Sequence, residues 1–485
     1  MRHITLAVLF ALGLGGCTVG QDYVRPEVEM PQNWRVSHAQ AADVANTRWW
    51  QQFNDPALNT LVDDALRENL DIRIAAERVE QFIGALTATR SQLYPQLGYG
   101  GDMSRNRASR LGQPPIPNGV DNYFSLNQMA LSAAWQLDLF GRVQRLSEAA
   151  QAQVYASEQA QRGVVLSLVS SVAVSYIALR ALDAQLEIAK AAEANFSATE
   201  RLFKLRFKSG LVSNLEVMQV TSQAQQARAA IPALQQAIAA QENLISLLLG
   251  RPSAAIARGK SIDQLVAPLI PEGLPADLLQ RRPDILQAEQ NLVAANANVG
   301  ATRALYYPNI SLTGALGSVS TVFASLLTDP ATTWQVAAGI TGPIFTFGGI
   351  EGQVASAEAQ QRQAELVYRQ TILNALRETN DALSGAENKV NEVEMQRQRV
   401  DALRESARLS RLRFDKGLAD YLEVLVAENE LFAAELAGVR VQSERFAQII
   451  NVYQAVGGGW VDEALKASKA EASGDAVADL SGGKS

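Results

Sequence analysis

Two fourteen-residue stretches of this chain are near copies of one another: LRFKSGLVSNLEVM, beginning at Leu205, and LRFDKGLADYLEVL, beginning at Leu412. Eight of the fourteen positions are identical, and the copies stand 207 residues apart. The same offset relates Phe140-Gly141 to Phe347-Gly348 and Gly250 to Gly457. Tyr94-Pro95 and Tyr307-Pro308, like Asp71-Ile72 and Asp284-Ile285, are 213 apart. A duplication with six residues lost from one loop of the second copy accounts for all of these matches. Whatever one half folds into, the other half must fold into as well.

Each copy has the same order of elements. A helical segment (57–92, then 276–304) leads into two alternating segments separated by a turn-rich loop. A very long helix (142–208, then 349–415), a glycine break and a return helix (214–249, then 421–456) complete it. The long helices contain no proline, and Val165, Leu168, Val172, Tyr176 and Leu179 recur at helical spacing. Each spans 67 residues, roughly 100 Å at 1.5 Å per residue, deeper than any compact domain. A leading and a return helix stacked end to end nearly equal that length. The linker 250–275, with Pro252, Pro268, Pro271 and Pro275, cannot continue a helix and is expected at the break between them, as a belt. Gly163–Leu179 is free of charge for seventeen residues, yet Ser167, Ser170, Ser171 and Ser175 mark it as a packing stripe rather than a lipid span.

The alternating segments are strands by period. Met129, Leu131, Ala133, Trp135 and Leu137 alternate with Gln128, Ala130, Ser132, Ala134 and Gln136; Leu97, Tyr99, Gly101 and Met103 alternate with Gly98, Gly100 and Asp102. Ile310 to Leu316 and Trp334 to Ile340 repeat the pattern. Four such strands are too little core for helices of this length, and too few to close a membrane barrel, which needs about eight. Three chains would supply twelve.

Chemistry is sparse. The chain of 485 residues has one cysteine, Cys17, and two histidines, His3 and His38, which excludes disulfide scaffolds and Cys/His zinc sites. A net charge of −7 without a basic run argues against nucleic acid. Gly259-Lys260-Ser261 and Gly483-Lys484-Ser485 lack the upstream glycine of a phosphate loop, Ala254 and Ala478 standing there instead. No catalytic group, metal site or cofactor is expected. At the N-terminus, Ile4 to Leu14 form a short apolar stretch, and Leu14-Gly15-Gly16 leads into Cys17. That reads as a lipoprotein signal over 1–16 with Cys17 acylated; Thr18, not Asp, follows it, which directs the product to the outer membrane.

Several segments together resemble a known family: Asp22-Tyr23-Val24-Arg25-Pro26, Trp49-Trp50 with Phe53, Asp55-Pro56 and Leu58, Trp135 through Arg142, Arg281-Arg282-Pro283-Asp284, and Gly457-Gly458-Gly459-Trp460. The chain is similar to the TolC-like outer-membrane factors of tripartite efflux systems, in their acylated OprM-type branch. The resemblance implies a mainly α homotrimer: a twelve-stranded outer-membrane barrel continuous with a twelve-helix periplasmic barrel. It also implies a periplasmic adaptor, an inner-membrane transporter of the RND type and contact with outer-membrane lipid. The chain would be a passive exit duct, with a first repeat (57–250), an equatorial linker (251–275), a second repeat (276–460) and a flexible tail (461–485). A type I secretion duct of the same fold and a non-conducting coiled-coil lipoprotein are the alternatives.

Gly210-Leu211 and Gly417-Leu418 fall at the two helix–helix turns, where glycine lets the backbone leave the helix. In the family such tips receive the adaptor. The resemblance places a periplasmic constriction at Leu422, Glu423 and Val426, with Glu216 equivalent to Glu423 and Asp420 beside it. Many relatives carry an acid where Val426 stands and a tyrosine where Phe414 stands, so this gate should rely on apolar packing and on salt bridges from Arg206, Lys208, Arg413 or Lys416. Glu216 and Glu423 equally suit helix starts, where the dipole favours an acid.

Overall fold

The computed structural model describes residues 18–35, 47–111, 116–117, 119–270, 275–457 and 461. The signal segment, Cys17, His38 and the tail from 462 onward lie outside the described residues. The first copy opens with two helices, α1 (Pro56–Glu68) and α2 (Leu70–Ser91), where the pattern predicts one. Asn69 makes the break. Its backbone is extended (φ −61°, ψ 132°), its Nδ2 donates to the Leu248 carbonyl at 2.8 Å, and its Oδ1 accepts from the Ile72 N–H at 3.0 Å. A side chain that caps the next helix while tying down a distant one outweighs the helical pattern around it.

Strands β1 (Gln96–Arg107) and β2 (Tyr123–Leu137) follow, then α3 (Arg142–Lys208) and α4 (Asn214–Leu248). The second copy gives α5 (Leu278–Arg281), α6 (Pro283–Arg303), β3 (Asn309–Ser320), β4 (Thr332–Thr341), α7 (Gly349–Asp415) and α8 (Tyr421–Val456). The expected helix over 276–304 is split at Arg282, whose extended backbone (ψ 120°) is what a following proline imposes. Both 67-residue helices run to the predicted ends. The four strands form one antiparallel sheet in the order β1-β2-β3-β4, which leaves β1 and β4 with open edges.

The chain divides into two compact units, each drawing on both copies: one holds Arg78–Ser157, Gln287–Tyr368 and the chain up to Glu27, the other Val28–Glu77, Glu158–Leu286 and the chain from Arg369. In the first, the sheet register pairs Leu97 with Ala133 and Tyr99 with Leu131, and Leu131 in turn with Leu316 and Leu316 with Trp334. One face of the sheet is thereby apolar and exposed, the other small and polar. The N-terminal segment is strapped to this unit. The Val19 N–H donates to the Phe140 carbonyl at 3.2 Å, and buried Arg145 holds the Val19 and Gly20 carbonyls and Asp22. Arg25 makes two bonds to Glu289, at 2.5 and 2.6 Å, and the Tyr23 hydroxyl a third at 3.3 Å. Gly141 (φ +72°) admits Thr18 so closely that a Cβ there would lie 2.8 Å from the threonine methyl.

In the second unit, Trp49, Trp50, Phe53, Leu58 and Val62 pack on Val165, Val169, Val172 and Tyr176 of α3 and on Phe446, Ile450 and Tyr453 of α8. Trp49 stacks on Tyr453 with centroids 5.1 Å apart. By length and composition α3 could cross a membrane, but its apolar window is mostly buried, as this core requires. The proline-rich linker lies across the core. Fully buried Asp55 accepts from the Ala57 N–H, the Lys260 N–H and the Tyr176 hydroxyl, at 2.9, 3.0 and 2.9 Å. Three donors on one carboxylate hold the linker, α1 and α3 to a single point.

Candidate functional site

The two helix–helix turns are built alike. After α3, the Leu211 N–H reaches the Arg206 carbonyl at 3.0 Å and the Gly210 N–H the Phe207 carbonyl at 2.9 Å; after α7, Leu418 reaches Arg413 at 2.8 Å and Gly417 reaches Phe414 at 2.9 Å. Both glycines are left-handed, with φ +69° and +72°. This pattern satisfies the last helical carbonyls and needs glycine at the reversal. Nothing lies within 4 Å of where a Cβ would stand on either glycine. Leu211 and Leu418 are 74% and 70% exposed beside them, so each turn ends in a bare glycine and an open leucine.

Beyond the turns the copies part. Ser213 caps α4: its hydroxyl accepts from the Glu216 N–H at 3.3 Å, and Glu216 Oε2 in return takes the Ser213 N–H at 2.7 Å and its hydroxyl at 2.9 Å. This reciprocal cap turns Glu216 onto its own helix start. The equivalent of Ser213 is Asp420, which makes no side-chain cap bond. A carboxylate has no proton to offer Glu423, so Glu423 extends to Arg413 Nη1 at 3.0 Å. Of the four cations singled out in the sequence, Arg413 alone forms a salt bridge among the described residues. Lys208 and Lys416 form none. Arg206 lies over aromatic rings, its guanidinium 5.9 Å from the Phe203 centroid and 5.8 Å from that of Phe414.

Those rings form a seam between the two hairpins. Phe203 of α3 stacks on Phe414 of α7 (6.2 Å, 21°), and both meet Tyr421 of α8, at 4.3 and 5.2 Å. Val217, Val220 and Val424 complete the cluster. The Gln223 Nε2 donates to the Leu425 carbonyl at 3.3 Å, a polar tie across the same seam. Burial pushes the Tyr421 phenol up to about 12. Leu422 and Val426, one helical turn apart, are 52% and 49% exposed and belong to none of this packing.

A second acidic position was not legible as such. Glu428 sits at 12% side-chain exposure, 3.4 Å from Arg411. Burial lifts its pKa above the ordinary carboxylate range, with Arg411 and Asn195 pulling against that. Only the periodicity of α8, which puts 421, 424 and 428 on one face, carried a signal. Elsewhere in this unit a cavity of about 590 Å³ is lined by Arg282, Asp284, Glu378 and Gln448. Arg282 is fully engaged there, by Asp284, by Glu378 at 2.8 Å and by the Ala455 carbonyl at 3.0 Å, which is the wiring of a brace.

The sequence and fold have clear relatives. The outer membrane efflux protein SrpC of a solvent efflux pump in Pseudomonas putida is 34% identical over 468 residues, covering 95% of this chain and 99% of its own. The probable outer membrane lipoprotein SilC of Salmonella typhimurium is 31% identical, with coverages of 95% and 99%. The crystal structure of the open state of the Neisseria gonorrhoeae MtrE outer membrane channel superposes with a TM-score of 0.81 at 28% identity, over 92% of this chain and 99% of that one. The fold is that of the trimeric outer-membrane channels, with a β-barrel and a helical barrel, so the open edges of β1 and β4 are where neighbouring chains join. A tripartite pump also supplies an adaptor and an inner-membrane transporter as partners. With the outer membrane efflux protein pattern matched over residues 61–251 and 274–458, the chain belongs to that family and is the outer-membrane exit duct of a tripartite efflux pump.

Proposed function

We propose that the duct is passive, without catalytic activity, and that its periplasmic mouth is gated at the two turns. The inner-membrane transporter it serves is of the RND type, the acyl anchor is on Cys17, and outer-membrane lipid covers the apolar face of the sheet. The aromatic seam carries the gating reading. Moving one hairpin tip against the other must part Phe203 from Phe414, lift Arg206 off the Phe414 ring and break the Gln223–Leu425 bond. These are weak, reversible contacts, each worth on the order of 1 kcal/mol. Arg413 and Glu423 lie within one turn, so their bridge keeps the shape of the α7–α8 tip while it moves.

Leu422 and Val426, exposed and unpacked, are the groups that would close against their symmetry copies, with Glu423 and Asp420 adding acid rings that favour cations. Gly210, Leu211, Gly417 and Leu418 are the adaptor-facing tips, supported by their open leucines. The test is planar-bilayer recording of two double variants. Leu422→Ser with Val426→Ser should raise the closed-state conductance, and Glu216→Gln with Glu423→Gln should lower the cation preference. If both match wild type, the constriction lies elsewhere.

A further inference from the structure

The apolar face of the sheet changes character along β1. Leu97, Tyr99 and Met103 point to that face and are 83%, 90% and 65% exposed. Strand alternation puts Arg105 and Arg107 on the same face, where both are exposed. The register sets Arg105 opposite Ser125 and Arg107 opposite Tyr123, with the Arg107 guanidinium 5.6 Å from the tyrosine ring. Arg110 follows in the β1–β2 loop. None of these three arginines forms a salt bridge among the described residues. The loop residues outside that set (Gly112, Gln113, Pro114, Pro115 and Asn118) bring no carboxylate. The nearest acid on the β2 side, Asp121, has its Oδ1 bonded to the Tyr123 N–H at 3.0 Å.

Depth makes this placement informative. From Leu97 to Arg105 is roughly 27 Å along a strand at 3.4 Å per residue. At the tilt of a membrane barrel that leaves roughly 20 Å along the bilayer normal, close to the apolar band of about 25 Å. Arginine facing lipid is severely unfavourable at mid-bilayer and nearly neutral at the interface. Both helices joined to this hairpin, α2 before β1 and α3 after β2, leave from the Gln96–Leu137 end, so with the helices in the periplasm the arginines, at the other end, would face the outer leaflet. That leaflet is built of lipopolysaccharide, whose lipid A bears phosphates beside its acyl chains. Guanidinium binds phosphate with paired hydrogen bonds.

We propose that Arg105 and Arg107, supported by Arg110, form a lipid-facing phosphate site for lipopolysaccharide, repeated three times around the barrel. The proposal rests on the reading that lipid covers this face of the sheet, and it adds which lipid and which atoms hold it. The acyl chains would lie on Tyr99 and Met103 below the phosphate, so one molecule is gripped at both its charged and its apolar part.

The test uses the full-length trimer with lipopolysaccharide, with lipid A lacking phosphates, and with phosphatidylglycerol, comparing wild type, Arg105→Ser/Arg107→Ser and Arg105→Lys/Arg107→Lys. Native mass spectrometry after a delipidating wash should show lipopolysaccharide retained by wild type, at least tenfold less by the serine variant, and an intermediate amount by the lysine variant. Phosphate-free lipid A should be washed off all three. Equal lipopolysaccharide retention by wild type and the serine variant overturns the site. So does a serine variant that loses its trimer but keeps its lipid, because the arginines would then serve a neighbouring subunit's acid. Failure of the wild type to enter a lipid nanodisc would instead strike the underlying reading, and is scored separately.

Discussion

Arg413 and Glu423 meet at 3.0 Å across the Gly417 turn, whereas their counterparts Arg206 and Glu216, at the Gly210 turn, form no bridge. The two motifs share the residues of the bridge and differ at the cap, Ser213 against Asp420. Serine can donate to the glutamate and fold it back; aspartate cannot. One N-cap residue thus decides whether the acid faces its own helix or the opposite arm of the turn. Asp420→Ser should form the missing cap, adding about 1 kcal/mol to local helix stability. It should also free Arg413. Hydrogen exchange at 421–424 should slow, and unchanged exchange would refute the account.

The aromatic seam predicts a loosened gate in Phe414→Ala. The lost ring removes the stack with Phe203 and the seat of Arg206, at a cost of about 1–3 kcal/mol for a half-buried ring. Closed-state conductance should rise and susceptibility to bulky antibiotics should increase. Phe414→Tyr, which keeps the ring, should leave both near wild type.

Glu428 gives a pH dependence whose sign is fixed by its raised pKa. Its folded pKa exceeds the unfolded value of about 4.3, so the stability it contributes is whole below about pH 4 and fades as the pH rises through the folded value. Glu428→Gln removes the buried charge and leaves Arg411 to solvent. The variant should melt higher than wild type at pH 7.5, and the difference should close toward about pH 4. A variant that melts lower at neutral pH would mean that the Arg411 pair outweighs burial.

The N-terminal strap depends on Glu289, whose side chain is 6% exposed and takes three bonds from Arg25 and Tyr23. Glu289→Ala should weaken the strap by about 1.5–3 kcal/mol, the range for bonds to a charged group. Limited proteolysis should then cut near Arg25 faster, while Arg25→Lys keeps part of the protection.

Much of this was written in the chain. The long helices could be bounded to the residue because they lack proline and stop at glycines whose partners recur 207 positions away. The four strands were visible because one face is apolar and the other small. The break at Asn69 was not, since asparagine sits in helical surroundings there and its reason for ending one is the Leu248 carbonyl, 179 residues distant. Nor could sequence divide the roles of the four cations near the turns. Arg206 and Arg413 share the same Leu-Arg-Phe triplet, and that Arg206 finds a seat over the Phe203 and Phe414 rings is decided by packing between the two hairpins. Glu428 is one acid among several on α8 until a second hairpin buries it.

The contact between Thr18 and Gly141 fixes a length. Cys17 is one peptide unit, about 3.8 Å between α-carbons, from a residue whose own methyl lies 2.8 Å from where a Cβ on Gly141 would stand. The acyl chain proposed on that cysteine would then be attached one residue from the junction of β2 and α3. A lipid on a long leash adds tenacity and leaves a protein free to ride at any height. On a leash of one residue, the proposed anchor would report where the hydrocarbon begins and serve as a ruler for how deep the barrel is seated.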